Sequence, residues 1–323
     1  MLSELKFGVY LPFYAFNFGA SDSLSAFDRV QKVVLECERL GYHSVWLDDH
    51  LMFGENPVLE CWTTLSALSS ITTRIRLGTM VSCNSFRNPS LLAKMAATFD
   101  VISGGRLELG IGASVQRGEH AAYGIPFPRP NVRVRRLKEA VEVIRKMWTE
   151  EKASYRGKYY RLREAVCEPK PLQKPHPPIT IGGSGEKLTL QVTAQYGDRF
   201  DWGYLSSLEL YTNKLDVLKS HCKALGRDFN EIEKSCWPSG QIFIAQNRKE
   251  LDEKVLQRKP KNVSMKDFEE YSFMGTPDEC NQKIRPYTDL GVKCFMLFFG
   301  DLPSLDGVRL FAEKVVKKME SAS

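Results

Sequence analysis

Residues 75–114, IRLGTMVSCNSFRNPSLLAKMAATFDVISGGRLELGIGAS, set an apolar strand, an amphipathic helix and a second apolar strand in direct succession. Ile75 to Ser82 has the short apolar run of a buried strand. Pro89 suits a first helical turn and opens a helical pattern that runs to Ile102, where Gly104 and Gly105 end it. Leu107 to Gly112 then reads as the next strand. Two buried strands joined through one helix must lie parallel, because the crossover returns the chain to the same end of the sheet.

The same rhythm extends in both directions. Strands are expected at Lys6 to Pro12, Ser44 to Asp48, Ile75 to Ser82, Leu107 to Gly112, Pro178 to Gly183, Arg199 to Gly203, Gln241 to Ala245 and Lys293 to Phe299. Helical periods separate them. In Ser25 to Leu40, for example, Phe27, Val30, Val34, Cys37 and Leu40 form one apolar stripe, and Gly41 stops the helix. Further helices are expected at Leu59 to Thr72, Pro89 to Ile102, Arg133 to Trp148, Lys187 to Tyr196, Ser207 to Leu225, Pro277 to Leu290 and Leu305 to Met319. Eight strand and helix units close naturally into a (β/α)8 TIM barrel, an α/β fold, so the chain is read as one domain over 1–323. An open doubly wound sheet is the alternative, but its fingerprint is reduced to Gly110 and Gly112, with Val115 at the third glycine position. Residues 150–178 and 247–275 break the rhythm and read as insertions at the C-terminal face. The first is a hairpin with a Pro-rich exit; the second is polar and charged, as surface helices able to form a lid would be.

The apolar share of 43% and charged share of 26% are those of a globular protein with a substantial core, not of a disordered chain. The net charge of +6 is scattered, which points to an anionic small molecule and away from nucleic acid. Eight cysteines show no Cys-x-x-Cys spacing, so no metal site is written here and a reducing cytoplasm is expected. The N-terminus lacks a secretory signal, and no stretch reaches the roughly 18 unbroken apolar residues of a membrane span.

In such a barrel, chemistry belongs at the C-terminal strand ends. The second strand delivers Asp48, Asp49 and His50 to the rim together. A rim Asp and His can bind a cofactor ring or shuttle protons, since a neighbouring carboxylate can set a histidine's tautomer, although Asp49 as a turn cap and His50 as a solvated residue also fit the position. Ser82, Cys83, Asn84 and Ser85 follow the third strand with small groups that let a planar ring approach. Read alone, Arg87 is a surface or ion-pair arginine and Cys83 a small buried residue. After the fourth strand, Glu119 and His120 are either acid and base groups or a solvated pair at a helix start. Gly182, Gly183, Ser184 and Gly185 between strand and helix suit a phosphate cradle, or a tight turn without ligand.

The stretch LGTMVSCNSFRNPSLLAKMAATFDVISGGRLELGIGA, together with AYGIPFP, RLKEAVEVIRKMW and ITIGGSGEK, resembles the luciferase-like oxidoreductases, and most of all their branch using the deazaflavin coenzyme F420. The match spans about residues 5 to 205, and its nearest counterparts in character are methylenetetrahydromethanopterin reductase-like proteins. The resemblance implies hydride transfer between F420 and a small or pterin-type substrate, with FMN-dependent monooxygenation and a non-catalytic flavin-binding barrel as alternatives. It implies a cofactor bound by Asp49, Ser82, Cys83, Asn84, Gly112 and the turn Gly182, Gly183, Ser184 and Gly185, with a non-prolyl cis peptide among Ser82, Cys83 and Asn84. It assigns chemistry to His50, Asp49 and Glu119, and implies a homodimer or higher oligomer. One departure stands out. The catalytic glutamate of the family's sugar-phosphate dehydrogenases falls at Val115, so that activity is not expected unless another acid, such as Glu119, replaces it.

Overall fold

The computed structural model describes residues 5–13, 23–204, 207–237, 240–259, 263–270 and 272–321. β1 (Lys6–Leu11) leads to α1 (Ser23–Leu40), and β2 (Ser44–Leu47) to α2 (Cys61–Ile71). The third strand comes in two pieces, β3 (Arg76–Thr79) and β4 (Ser82–Cys83), before α3 (Pro89–Ile102). β5 (Leu107–Gly112) is followed by α4 (Arg117–Ala122), α5 (Pro130–Thr149) and an antiparallel hairpin of β6 (Ala153–Arg156) and β7 (Arg161–Ala165). β8 (Ile179–Gly182), α6 (Thr189–Tyr196), β9 (Arg199–Tyr204), α7 (Leu208–Leu225) and β10 (Glu233–Trp237) continue the alternation. β11 (Ile242–Ile244), α8 (Arg248–Arg258), α9 (Met265–Glu270) and β12 (Phe273–Gly275) come next, and α10 (Pro277–Asp289), β13 (Val292–Leu297), α11 (Asp306–Phe311) and α12 (Lys317–Ser321) complete the chain.

Parallel pairings run β3-β2-β1-β13-β10-β9-β8-β5, and β3 pairs back onto β5 through Leu77 with Leu107 and Gly78 with Glu108. This closes the sheet. The expected (β/α)8 barrel is the fold, with β4 extending its rim beside β5. No helix among the described residues is long and apolar enough to cross a membrane.

Two layers of the barrel interior explain its glycines. The Trp46 indole fills the middle, where a Cβ at Gly8 or Gly78 would come within 2.8 Å or 2.6 Å of its ring. Its Nε1 donates to Ser44 Oγ at 2.8 Å. Higher up, the Val81 side chain takes the space above Gly110, Gly112 and Gly182, whose absent Cβ atoms would lie 3.0, 2.7 and 2.8 Å from its methyl groups. These glycines are therefore required by packing density, whatever else they do.

The floor is ionic. Glu108 opens β5 between Arg76 and Arg199, and Arg199 also reaches Glu233, which binds Lys6. Burial pushes the Glu108 carboxyl up, but Arg199 and Arg76 outweigh it and hold it at about 2. A carboxyl depressed on folding adds stability above its unfolded value, about 4.3, and loses that contribution as pH falls towards 2. Glu108→Gln is expected to cost about 3 kcal/mol at pH 7. Thermal melts of the two proteins should converge as the pH drops below 4; a constant gap would assign the loss to packing.

Two positions in the fold correct the reading from sequence. The seventh barrel strand is Glu233–Trp237, not Gln241 to Ala245. Its polar start, Glu233 and Lys234, hides it, and Glu233 is satisfied by the floor network. The apolar Ile242–Ile244 instead pairs with Phe273–Gly275 outside the barrel and builds a small core of Phe243, Ala245, Leu251, Val255 and Met274. The expected third strand, Ile75 to Ser82, is interrupted at a cis Met80–Val81 peptide, two residues before the place expected for it.

Candidate active site

The strand ends surround a cleft of about 480 Å³, and each barrel strand sends in what its register allows. β2 ends in three polar residues. Asp48 is buried, with Oδ1 accepting from the Phe13 N–H at 3.2 Å and Oδ2 without a partner among the described residues. Burial pushes its carboxyl up to about 6, against the pull of His50.

Asp49 faces the cleft but is tightly held. The Arg87 guanidinium donates to both its oxygens, at 2.6 and 3.0 Å, and the Cys83 N–H donates to Oδ2 at 2.9 Å. Arg87 also binds Glu60, so one fork joins the ends of β2 and β4 to the start of α2. Burial raises the Asp49 carboxyl while Arg87 opposes it. Three donors converging on two oxygens suit a fixed carboxylate, not a proton shuttle. Asp49 is thus buried and fixed while His50 stays partly exposed, and Arg87 is a nearly buried strut, not a surface residue.

His50 is oriented from across the cleft. Its Nδ1 lies 3.2 and 3.3 Å from the two carboxylate oxygens of Glu119, which is itself buried. Glu119 Oε2 also accepts from the Leu51 N–H at 2.9 Å, and the Tyr123 hydroxyl donates to the Leu51 carbonyl at 2.9 Å. α4 thus clamps the residues following β2. With Nδ1–H donated to a carboxylate, Nε2 is the ring nitrogen left for proton exchange. Glu119 and His120 are not a solvated pair: both are buried, and His120 sits between Phe86 and Phe127.

Of Ser82, Cys83 and Asn84, only Cys83 lines the cleft. Strand alternation explains this. Ser82 turns outward, where its Oγ accepts from Trp62 Nε1 at 3.1 Å, and Asn84 turns towards the hairpin, 3.5 Å from the Tyr160 hydroxyl. Beside Cys83 the cleft is lined by Met80 and Val81, not by Ser82 and Asn84. Burial pushes the Cys83 thiol up to about 11, with the Ser114 hydroxyl opposing, so it is no nucleophile near neutral pH.

Gly112, paired with Cys83 on one side and Gly182 on the other, continues this wall into the turn Gly182, Gly183, Ser184 and Gly185. Gly183 has φ +117°, a backbone that side chains avoid, and its N–H is taken by the Asp201 carbonyl at 3.2 Å. A Cβ on Gly185 would lie 2.9 Å from Thr189 Oγ1. The donors left at this turn are therefore Ser184, Gly185 and the Thr189 hydroxyl at the start of α6. Sequence reasoning missed Thr189, and it missed Tyr10, Ser114, Val115 as a lining residue, Arg133, Asp201 and Trp237, which also line the cleft. Only closure of the barrel brings these together. None of the described residues between 247 and 275 lines the cleft. Among the described residues no cluster of His, Cys, Asp or Glu could hold a metal ion.

Residues 5–261 match the sequence profile described as luciferase-like monooxygenase. The chain belongs to that family. Relatives of this luciferase-like chain include the F420-dependent glucose-6-phosphate dehydrogenase of Segniliparus rotundus, 28% identical over 315 residues, which cover 88% of this chain and 91% of the relative. The enzyme of the same name from Amycolatopsis mediterranei is 26% identical over 321 residues, with 89% and 93% covered. Among solved structures, an F420-dependent secondary alcohol dehydrogenase superposes with a TM-score of 0.80 at 19% identity, over 96% of this chain and 98% of that one. The coenzyme F420 dependent tetrahydromethanopterin reductase of Methanopyrus kandleri gives 0.79, also at 19%, over 98% and 99%. At such identities these structures speak to the fold alone.

Proposed function

We propose that this luciferase-like chain is an F420-dependent oxidoreductase that transfers hydride between the deazaflavin and a small organic substrate. The observation that carries the reading is a histidine fixed by a buried carboxylate, His50 on Glu119, facing a wall of glycine backbone in one cleft. The near full-length relatives named for F420 favour the deazaflavin over FMN.

The residues present fit such a group. Val81, Met80 and the side-chain-free Gly112 and Gly182 leave a flat surface on which a ring can lie, because the space a Cβ would need is filled by Val81. Ser184, Gly185 and Thr189 offer donors at the start of a helix for a phosphate. When bound, the reduced deazaflavin supplies the hydride. The chain supplies the rest. Asp49, anchored by Arg87, fixes the backbone of Cys83 at the edge of the wall, while Glu119 orients His50 so that Nε2 gives a proton to a reduced substrate oxygen or takes one from an alcohol.

The test is anaerobic incubation of the protein with oxidised F420 and a panel of alcohols, following loss of the cofactor's absorbance, beside an assay for oxygen uptake with reduced FMN. Alcohol-dependent reduction of F420 without oxygen uptake is expected. Oxygen uptake with FMN and none of the F420 reaction would replace the reading with monooxygenation.

A further inference from the structure

We infer that the substrate is an uncharged carbonyl compound with a flat apolar body, or the matching alcohol, held against Tyr10 and Trp237, and not a sugar phosphate. This rests on the reading that the glycine side of the cleft holds the cofactor.

The barrel order places the second wall. In the closed sequence β3-β2-β1-β13-β10-β9-β8-β5, β1 stands four places from β8, and β10 four places from β3. Strands four places apart in an eight-membered ring face each other. Tyr10 near the end of β1 therefore lies across the mouth from Gly182, and Trp237 at the end of β10 lies across from Met80 and Val81. A ring resting on the glycine side turns its free face to these two aromatics, so what it reacts with must fit between.

That wall is built to be rigid and apolar. Tyr10 and Trp237 meet edge to face with centroids 4.8 Å apart, and both pack on Phe298, at 5.9 and 6.4 Å. The Trp237 Nε1–H donates to the Gly240 carbonyl at 3.1 Å, which directs the polar edge of the indole to the protein's own backbone. Aromatic surfaces held this way favour flat apolar partners.

Charge excludes the phosphate. Among the described lining residues the basic side chains are His50 and Arg133. His50 is turned to Glu119. Arg133 sits on α5, beyond β5 on the glycine side, donates to the Ala113 and Pro128 carbonyls at 3.2 and 2.7 Å, and lies 3.9 Å over the Phe127 ring. No lysine is among the described residues that line the cleft. A sugar phosphate would bring a dianion to a cleft whose described basic lining residues, His50 and Arg133, are already engaged, and the buried carboxylates of Asp201 and Glu119 would repel it. Val115 at the rim is 82% exposed and adds an apolar edge.

In the reduction, the carbonyl carbon gains the hydride and the C=O π bond becomes a C–O single bond. The oxygen takes a proton through His50, and the cofactor is left oxidised by two electrons. The reverse converts the alcohol to the ketone. The chemistry matches that of a dehydrogenase, with the substrate class set by the wall.

The experiment compares acetophenone and cyclohexanone on protein loaded with reduced F420 with glucose 6-phosphate on protein loaded with oxidised F420. It adds calorimetric titration of each compound at several temperatures and a fluorescence titration of F420 itself. Turnover of the ketones but not of the sugar phosphate is expected, with a negative heat-capacity change on ketone binding. Trp237→Ala should raise KM for acetophenone about tenfold, Trp237→Phe should largely restore it, and neither should change F420 affinity. Preferred turnover or binding of glucose 6-phosphate would overturn the inference, as would an unchanged KM in Trp237→Ala. Absence of F420 binding would instead sink the cofactor reading, and the ketone calorimetry would still decide the substrate class.

Discussion

Replacing His50 by alanine is expected to lower turnover about a hundred- to ten-thousand-fold while the protein keeps its fold and its cofactor affinity. The size follows from the proposed role of His50 in proton exchange, for which Glu119 orients its ring. The mildness for stability follows from what remains: Glu119 keeps the Leu51 N–H as a donor at 2.9 Å, so the buried carboxylate is not abandoned. His50 itself is only partly buried. Glu119→Gln separates positioning from chemistry, because the amide still fills the space but no longer pairs with an imidazolium. It should lower kcat less than His50→Ala and displace the pH profile of kcat. Steady-state kinetics across pH, with melting curves as a control, measures both. A His50→Ala enzyme of ordinary activity would remove His50 from the mechanism.

The largest effect on stability is expected at Arg87. Its guanidinium faces an Asp49 side chain that is 1% exposed and cannot turn to water. Arg87→Ala leaves that carboxylate buried and unpaired, at a cost of about 3–5 kcal/mol. Arg87→Lys should recover only part of this, since an ammonium cannot donate to both Asp49 oxygens and reach Glu60 as the fork does. Removing both charges with Arg87→Met and Asp49→Asn should cost less than Arg87→Ala alone. Urea unfolding of the four proteins checks the order. Equal stabilities for wild type and Arg87→Ala would mean that the pair carries nothing.

Much of the fold was legible because the barrel writes itself locally. Short apolar runs, helical stripes and glycines at helix ends recur in each unit, so α3 emerges from sequence with the bounds it has in the structure. The reading failed where long-range pairing overrides local character. Glu233 and Lys234 look like loop residues until Arg199 and Lys6 are seen beside Glu233, while Ile242 to Ile244 look like a barrel strand yet cover a side sheet. At the site, His50 and the turn from Gly182 to Gly185 could be picked out because they directly follow strands. Ser82 and Asn84 could not be told from Cys83 without the register, which points alternate residues to opposite faces. Tyr10, Arg133 and Trp237 carry no mark of function in sequence. They become a site only when β1, α5 and β10 are brought round one mouth.

The central claim, that this cleft belongs to a deazaflavin, is tested most directly by anaerobic fluorescence titration of the purified protein with F420 and, separately, with FMN. Tight binding of F420 with weak binding of FMN is the predicted result, whereas tight FMN binding with none of F420 would contradict it.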